Sequence, residues 1–448
     1  MIRAACRSAL LLGLFALLFA PAFLLAAEVV VIKNARVIDG TGDAPLEGAS
    51  VLVVDGRVRA VATKVAVPKG ATVVDGTGKT IIPGLFNLHG HIGLVKGLAQ
   101  ARQNYTRENV LEQLRRYLQY GVTSVLSLGT DFEPMFAIRA EQRGGKLDGA
   151  RVYTAGRGFT VKGGYPAVLP GMAGVAREVS TAEEARRQVE ELAVQRVDVV
   201  KVWVDDHLGR YEKLPPPIYS AIIEQAHKHR LKVMAHLFSL NDAKGLVEAG
   251  LDGMAHSIRD TDIDDELVAR LKKRGTFAVP TLARDASLFI YADSPSWLDD
   301  PFFVKGQPAD AVAGVRSEAY KKRVVDDPDY PKLRGFLTQA QRNLRRLHDS
   351  GVRIAFGTDS GPPARFQGWF EHWELQLMVE AGLQPMDALV AATRTSAEAL
   401  GVARDLGTLQ PGKHADFVIL DANPLDDIRN TRKIHSVWQA GRKVADRL

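Results

Sequence analysis

Two histidines one residue apart, His89 and His91 in FNLHGHIG, close the apolar run TIIPGLFNLHGHIG. Side chains alternate along an extended strand, so positions i and i+2 share a face. Both imidazoles therefore project to one side, where two neutral rings supply half a coordination shell for a divalent cation. By themselves they equally describe two satisfied polar residues at a strand end. The decision rests on what else converges there.

Four further residues of ligand type stand at the ends of strand-like runs. They are Lys201 in VDVVKVWV, His236 in KVMAHLF, His256 in GMAHS and Asp359 in RIAFGTDS. The histidines also suit capped core positions, and Asp359 suits a turn. Lys201 is harder to explain structurally, because parallel strands are buried on both faces and an unpaired buried ammonium is expensive. Pairing with a carboxylate would neutralise it. So would conversion by carbon dioxide to an anionic carbamate that can bridge two cations.

Positioning these side chains falls to an alternation of strands and helices. The pattern predicts strands over 123–128, 151–156, 197–204, 232–238, 253–257, 276–282 and 353–360, besides the one before His89. Between them lie amphipathic stretches. A capping box from Ser180 to Glu183 opens AEEARRQVEELAVQ, and prolines open PPPIYSAIIEQAHKHR. Eight strands alternating with helices fit an α/β fold, a (β/α)8 TIM barrel whose strand ends converge on one mouth. Valine-rich runs with Asp-Gly turns, from Val29 to about Val74 and again in ADFVILD and IHSVWQAGRKVAD, predict a small β domain built from both chain ends. About seventy residues separate PTLAR from RIAFGTDS. Their aromatic residues (Phe289, Tyr291, Trp297, Phe302, Phe303) argue against disorder and leave a lid, a pocket wall or structural padding.

A chain of 448 residues suggests one large domain and a smaller one. Its net charge of +6 comes without long blocks of either sign, which gives no nucleic-acid footprint. Residues 1–27 have the layout of a secretory signal peptide: Arg3 and Arg7, then SALLLGLFALLFAPAFLL, then small residues at Ala26 and Ala27. The expectation is a secreted or periplasmic protein with no membrane segment after cleavage, an uncleaved anchor being the lesser alternative. The only cysteine, Cys6, lies in that leader, so a metal in the mature protein must be held by nitrogen and oxygen.

His-x-His after the first strand, lysine on the fourth, histidines on the fifth and sixth and aspartate on the eighth resemble the binuclear metal-dependent amidohydrolase superfamily. The lead-in GKTIIPGLFNLHGH and the closing LGTLQPGKHADFVILD add to the likeness, which is strongest to the branch of prolidase-type dipeptidases and imidazolonepropionases. The resemblance implies a barrel over 83–402 and a β-sandwich formed by 28–82 and 403–448. It implies that His89 and His91 bind one metal and His236 and His256 another, zinc by default. It also implies that a carboxylated Lys201 bridges the two, while Asp359 binds the first metal and shuttles protons for a shared hydroxide. The activity implied is hydrolysis of a C–N amide bond in a small molecule: a dipeptide, N-acyl amino acid or cyclic amide. The alternative is a mononuclear deaminase or an imidazolonepropionase-type ring hydrolase, which lacks the carboxylated lysine. A homo-oligomer is left open.

Candidate substrate contacts come from loops after the strands. AGRGFTVKGGYP offers Arg157, Lys162 and Tyr165, and WVDDHLGRY offers His207 and Arg210; Arg259 and Arg365 follow the sixth and eighth strands. Arginine suits bidentate capture of a carboxylate. The remaining histidines, His372 on a helix among them, read as packing or surface residues.

Overall fold

LFNLHG forms strand Leu85–Gly90, buried at every residue, in a computed structural model that describes residues 28–446. The expected signal peptide and Cys6 lie outside the described residues. Leu85–Gly90 pairs in parallel with Val122–Ser127, which pairs in parallel with Arg151–Thr154. A second parallel sheet orders Arg177–Val179, Phe159–Val161, Val199–Val204, Lys232–Leu237, Gly253–Ala255 and Phe277–Val279. Val199–Val204 is buried throughout, as its unbroken apolar pattern around Lys201 requires of a parallel strand.

Residues 353–360, predicted as a strand, are not a regular one. They run between the two sheets, bridging in parallel to Ala278 at Ile354 and to Gly90 at Ser360. Their hydrogen bonds alternate sides: Ala355 N donates to Ala278 O at 2.9 Å, and Leu88 N to Phe356 O at 2.8 Å. Asp359 takes a left-handed φ of 56°, which breaks the extended run just where its side chain is needed. On the other flank Asp198 N donates to Thr154 O at 2.8 Å, so hydrogen bonds join the two sheets on both sides. Helices including Arg107–Gln119, Ala182–Val194 and Pro216–Lys228 separate the strands. The N-cap is Thr181, one residue later than predicted. Thr181 Oγ1 accepts from Glu184 N at 3.1 Å, and Glu184 reaches back to Ser180 N at 2.9 Å.

The chain ends meet in one eight-stranded mixed sheet. Thr80–Pro83 joins the two ends, parallel to Val29–Val37 and antiparallel to Phe417–Leu420, so both chain ends share one hydrogen-bonded sheet. The period of two explains how this sheet sits. Phe417 and Ile419 enter a small apolar cluster with Val30, Val51 and Trp438, whereas Val418 and Leu420 join the main core. The long connection is packed structure, including helices Leu282–Ser287, Pro301–Gly306, Ala309–Arg316, Glu318–Val325 and Tyr330–Asp349. Trp297 and Phe303 lie 5.4 and 5.5 Å, ring to ring, from the buried Trp369. No helix among the described residues is long and apolar enough to cross a membrane.

Candidate metal centre

All six ligand-type residues meet. The rings of His89 and His91 stand 5.4 Å apart, those of His89 and His256 4.6 Å, and those of His236 and His256 4.3 Å. Asp359 Oδ1 lies 3.0 Å from His91 Nε2 and 3.8 Å from His89 Nε2, and Oδ2 lies 4.0 Å from His256 Nε2. His89, His256 and Asp359 offer ligand atoms within 4.8 Å of one another. Lys201 Nζ points into the same cluster, 3.4 Å from His89 Nε2.

Local chemistry fixes each group. Asn87 accepts from His89 N at 2.8 Å and donates to Glu371 at 2.6 Å, and Glu371 also takes Thr358 and Ser360 hydroxyls at 2.7 Å each. This buried knot ties the strand that carries His89 to the segment that carries Asp359. His91 Nδ1 contacts Thr130 Oγ1 at 3.1 Å, and His256 Nδ1 contacts Thr281 Oγ1 at 2.6 Å. His236 Nε2 lies 2.7 Å from Asp205 Oδ2, which leaves its Nδ1 facing His256 Nε2 at 2.9 Å. A carboxylate on the far nitrogen sets the tautomer and raises the basicity of a liganding imidazole. Room for the Lys201 stem comes from glycine. A Cβ on Gly158 would stand 2.8 Å from Lys201 Cγ, and one on Gly129 would stand equally close. His256 and Asp359 both take positive φ, 128° and 56°, strain that clusters where side chains must be aimed.

Burial holds His89 and His256 well below the ordinary histidine range and lowers His236 to about 4, so all three are neutral ligands at pH 7. Burial also pushes Lys201 down to about 7. Among the described residues no carboxylate lies in ion-pairing reach of Nζ; its neighbours are His89 and the Trp203 ring at 5.5 Å. Burial would raise Asp359, but Arg365, His89 and His91 overcome it and hold the carboxylate well below its usual range. His89 Nδ1 is buried without a partner. An orphaned imidazole nitrogen, opposed imidazole nitrogens and an unpaired buried amine around a carboxylate are a donor set that fits divalent cations.

A cavity of about 290 Å³ opens from the cluster. Of the predicted substrate contacts, Tyr165 and Arg365 line it. The Tyr165 ring lies 5.2 Å from that of His236, and Arg365 Nη1 lies 2.6 Å from Asp359 Oδ2. His207 stands behind Tyr165, ring to ring at 4.9 Å. Two other candidates do not line the cavity. Arg157 turns to the carbonyls of Val175 and Ala176 at 3.2 and 2.9 Å, where unpaired backbone acceptors hold it. Arg259 is buried against Asp285 at 2.8 Å and Leu237 O at 2.9 Å. Arg284 was not anticipated: it bonds Asp285 at 2.7 Å and brings Nε to 3.8 Å from Asp359 Oδ2. His372 is buried between Thr431 and Tyr120, a packing role.

A family model described as the amidohydrolase family matches residues 80–444. Ochratoxinase of Aspergillus niger is 25% identical over an alignment of 458 residues, covering 93% of this chain and 86% of that one. An imidazolonepropionase of Deinococcus deserti is 40% identical over 104 residues, 22% of this chain and 26% of the other. Among solved structures, a Xaa-Pro dipeptidase with bound methionine matches with a TM-score of 0.75 at 22% identity, over 93% of this chain and 100% of that one. At that identity the likeness is one of fold alone.

Proposed function

The chain belongs to the amidohydrolase family, and from that premise we propose that it hydrolyses an amide C–N bond of a dipeptide, N-acyl amino acid or cyclic amide at a centre of two divalent cations, zinc in the first instance. The observation that carries this reading is Lys201, buried beside His89 with no carboxylate among the described residues within ion-pairing distance. An amine lowered to about 7 is part free base at neutral pH, the form that adds carbon dioxide and loses a proton to give a carbamate. His89 and His91 would hold one cation and His236, through Nδ1, with His256 the other, and the carbamate of Lys201 would serve both. Bound there, the cations supply Lewis acidity to the amide carbonyl and acidify the attacking water.

The chain's own groups do the rest. Asp359 takes the proton from the attacking water and returns it to the leaving nitrogen. Arg365 and Arg284 steer Asp359, and Tyr165 packs against His236 at the floor of the cavity. Leu94, Leu169 and Met172 make up an apolar part of the cavity wall, which strengthens the electrostatics beside it. Leu85–Gly90, Val122–Ser127, Arg151–Thr154, Val199–Val204, Lys232–Leu237, Gly253–Ala255, Phe277–Val279 and residues 353–360 are the eight staves of a closed (β/α)8 barrel, and the mixed sheet is a second domain over 28–82 and 403–448. Residues 1–27 direct export.

Screening zinc-loaded protein for amine release from dipeptides, N-acyl amino acids, lactams and hydantoins tests the reading. Turnover that chelation abolishes supports it; full metal loading without turnover of any compound overturns it. A second reading, a one-metal ring hydrolase, draws on the compact His89–His256–Asp359 group and on the local imidazolonepropionase match. About one tightly bound ion per chain and an unmodified lysine would favour it.

A further inference from the structure

The cavity has two chemically different ends. Its floor is the histidine cluster with Asp359; its mouth is formed by Tyr320, Arg323, Val324 and Asp327, from helix Glu318–Val325 and the turn after it. Arg323 and Asp327 also line an open surface depression with Lys322 and Asp326, which locates them at the entrance. Between floor and mouth one part of the wall is apolar, with Leu94, Leu169, Met172 and Pro362, beside the polar Gln100, Thr130 and Ser287.

Arg323 is the cation at that entrance, and it is left unpaired. Among the described residues no carboxylate lies within ion-pairing distance of it. Asp326, three residues on, is taken by Lys322 at 2.9 Å. Asp327, four residues on and well placed for a helical pair, turns instead to accept from Asp329 N at 2.8 Å. The guanidinium lies over the Tyr320 ring, 5.0 Å from its centre, an arrangement that orients an arginine without neutralising it. Tyr320 meets Tyr291 edge to face at 5.6 Å, and Tyr291 OH donates to Ala364 O at 2.5 Å. The helix is thus fixed to the segment that bears Arg365. Arg365 itself is occupied by Asp359.

We propose that Arg323 selects substrates that carry a carboxylate at the end remote from the scissile amide, across an apolar segment that fills the cavity. The inference rests on the hydrolase reading above and extends it to substrate class. Arg323 acts on binding at the entrance and takes no part in bond cleavage.

Matched para-nitroanilides test it: glutaryl, adipoyl and pimeloyl compounds against the acyl chains of equal length that end in methyl. The readout is the ratio of kcat/KM for acid over neutral partner in the zinc-loaded enzyme. Arg323→Ala is expected to lower that ratio about tenfold through KM, the size of one charge-assisted hydrogen bond. Arg323→Lys recovers part of it, Arg323→Glu inverts the preference, and Lys322→Ala at the adjacent cation leaves the ratio in place. A ratio unchanged in both Arg323→Ala and Arg323→Glu overturns the proposal. If the wild type hydrolyses none of these compounds, the hydrolase reading suffers separately. Calorimetric titration of the same pairs then decides for Arg323, by loss or persistence of the acid preference in Arg323→Glu.

Discussion

Lys201 Nζ stands 3.4 Å from His89 Nε2, on a strand buried along its whole length. One such contact satisfies a single proton of an ammonium, and the other two would face a dry interior. The residue therefore sits in the fold at a cost that a carbamate held between cations would remove.

That cost has a pH signature in metal-free protein freed of carbon dioxide. An unfolded lysine titrates near 10.4, whereas burial lowers Lys201 to about 7. The folded state binds fewer protons between those values. The stability is therefore complete above the unfolded value and is lost as the pH falls towards 7. Lys201→Met should melt a few degrees above the wild type at pH 7, with the gap closing towards pH 10. Calorimetric scans across that range check it; a gap that does not change with pH contradicts it.

Asp205 reaches His236 Nε2 at 2.7 Å and so leaves Nδ1 as the nitrogen that would bind a cation under the proposed function. Asp205→Ala should weaken metal retention by about 10–100-fold, as loss of such an outer partner does. Competition with a chromogenic chelator reads this directly. Unaltered retention would mean that the hydrogen bond is incidental.

Asp359 is given the proton transfers, so Asp359→Asn should lower kcat by about 100–10,000-fold, far more than it alters substrate affinity. Steady-state kinetics, with bound metal measured on the same sample, separate lost chemistry from lost metal. A variant that keeps its metal and its kcat removes Asp359 from the reaction.

Gly158 is a steric test. A Cβ there would meet Trp203 Cζ3 at 2.5 Å and Lys201 Cγ at 2.8 Å. Gly158→Ala should keep the native circular dichroism yet lose bound metal. Gly335→Ala, where a Cβ meets nothing within 4 Å on helix Tyr330–Asp349, should change neither. Equal behaviour of the two variants would show that Lys201 is not confined as described.

The legible part of the site is the part with a period. His89 and His91 share a face because strands alternate, and Lys201 stood out because its neighbours forbade exposure. Asp205, Thr130 and Thr281, which orient the imidazoles, lie just past strand ends, where no spacing distinguishes them from solvated loop residues. Arg284 and Asp285 arrive on a short helix and Glu371 on another, so only the packing of distant segments makes them neighbours. Residues 353–360 read as a strand from their apolar run, and the left-handed turn at Asp359 is invisible in composition. Arg157 is turned to backbone carbonyls of a loop about twenty residues away, and pairing of that kind leaves no mark in sequence.

Diffraction data collected at the zinc absorption edge from zinc-loaded crystals test the central claim most directly. The expected result is two anomalous peaks about 3.5–4 Å apart, with His89 and His91 on one, His236 and His256 on the other, and carboxylated Lys201 between them. One peak, with Nζ present as an unmodified ammonium, would contradict it.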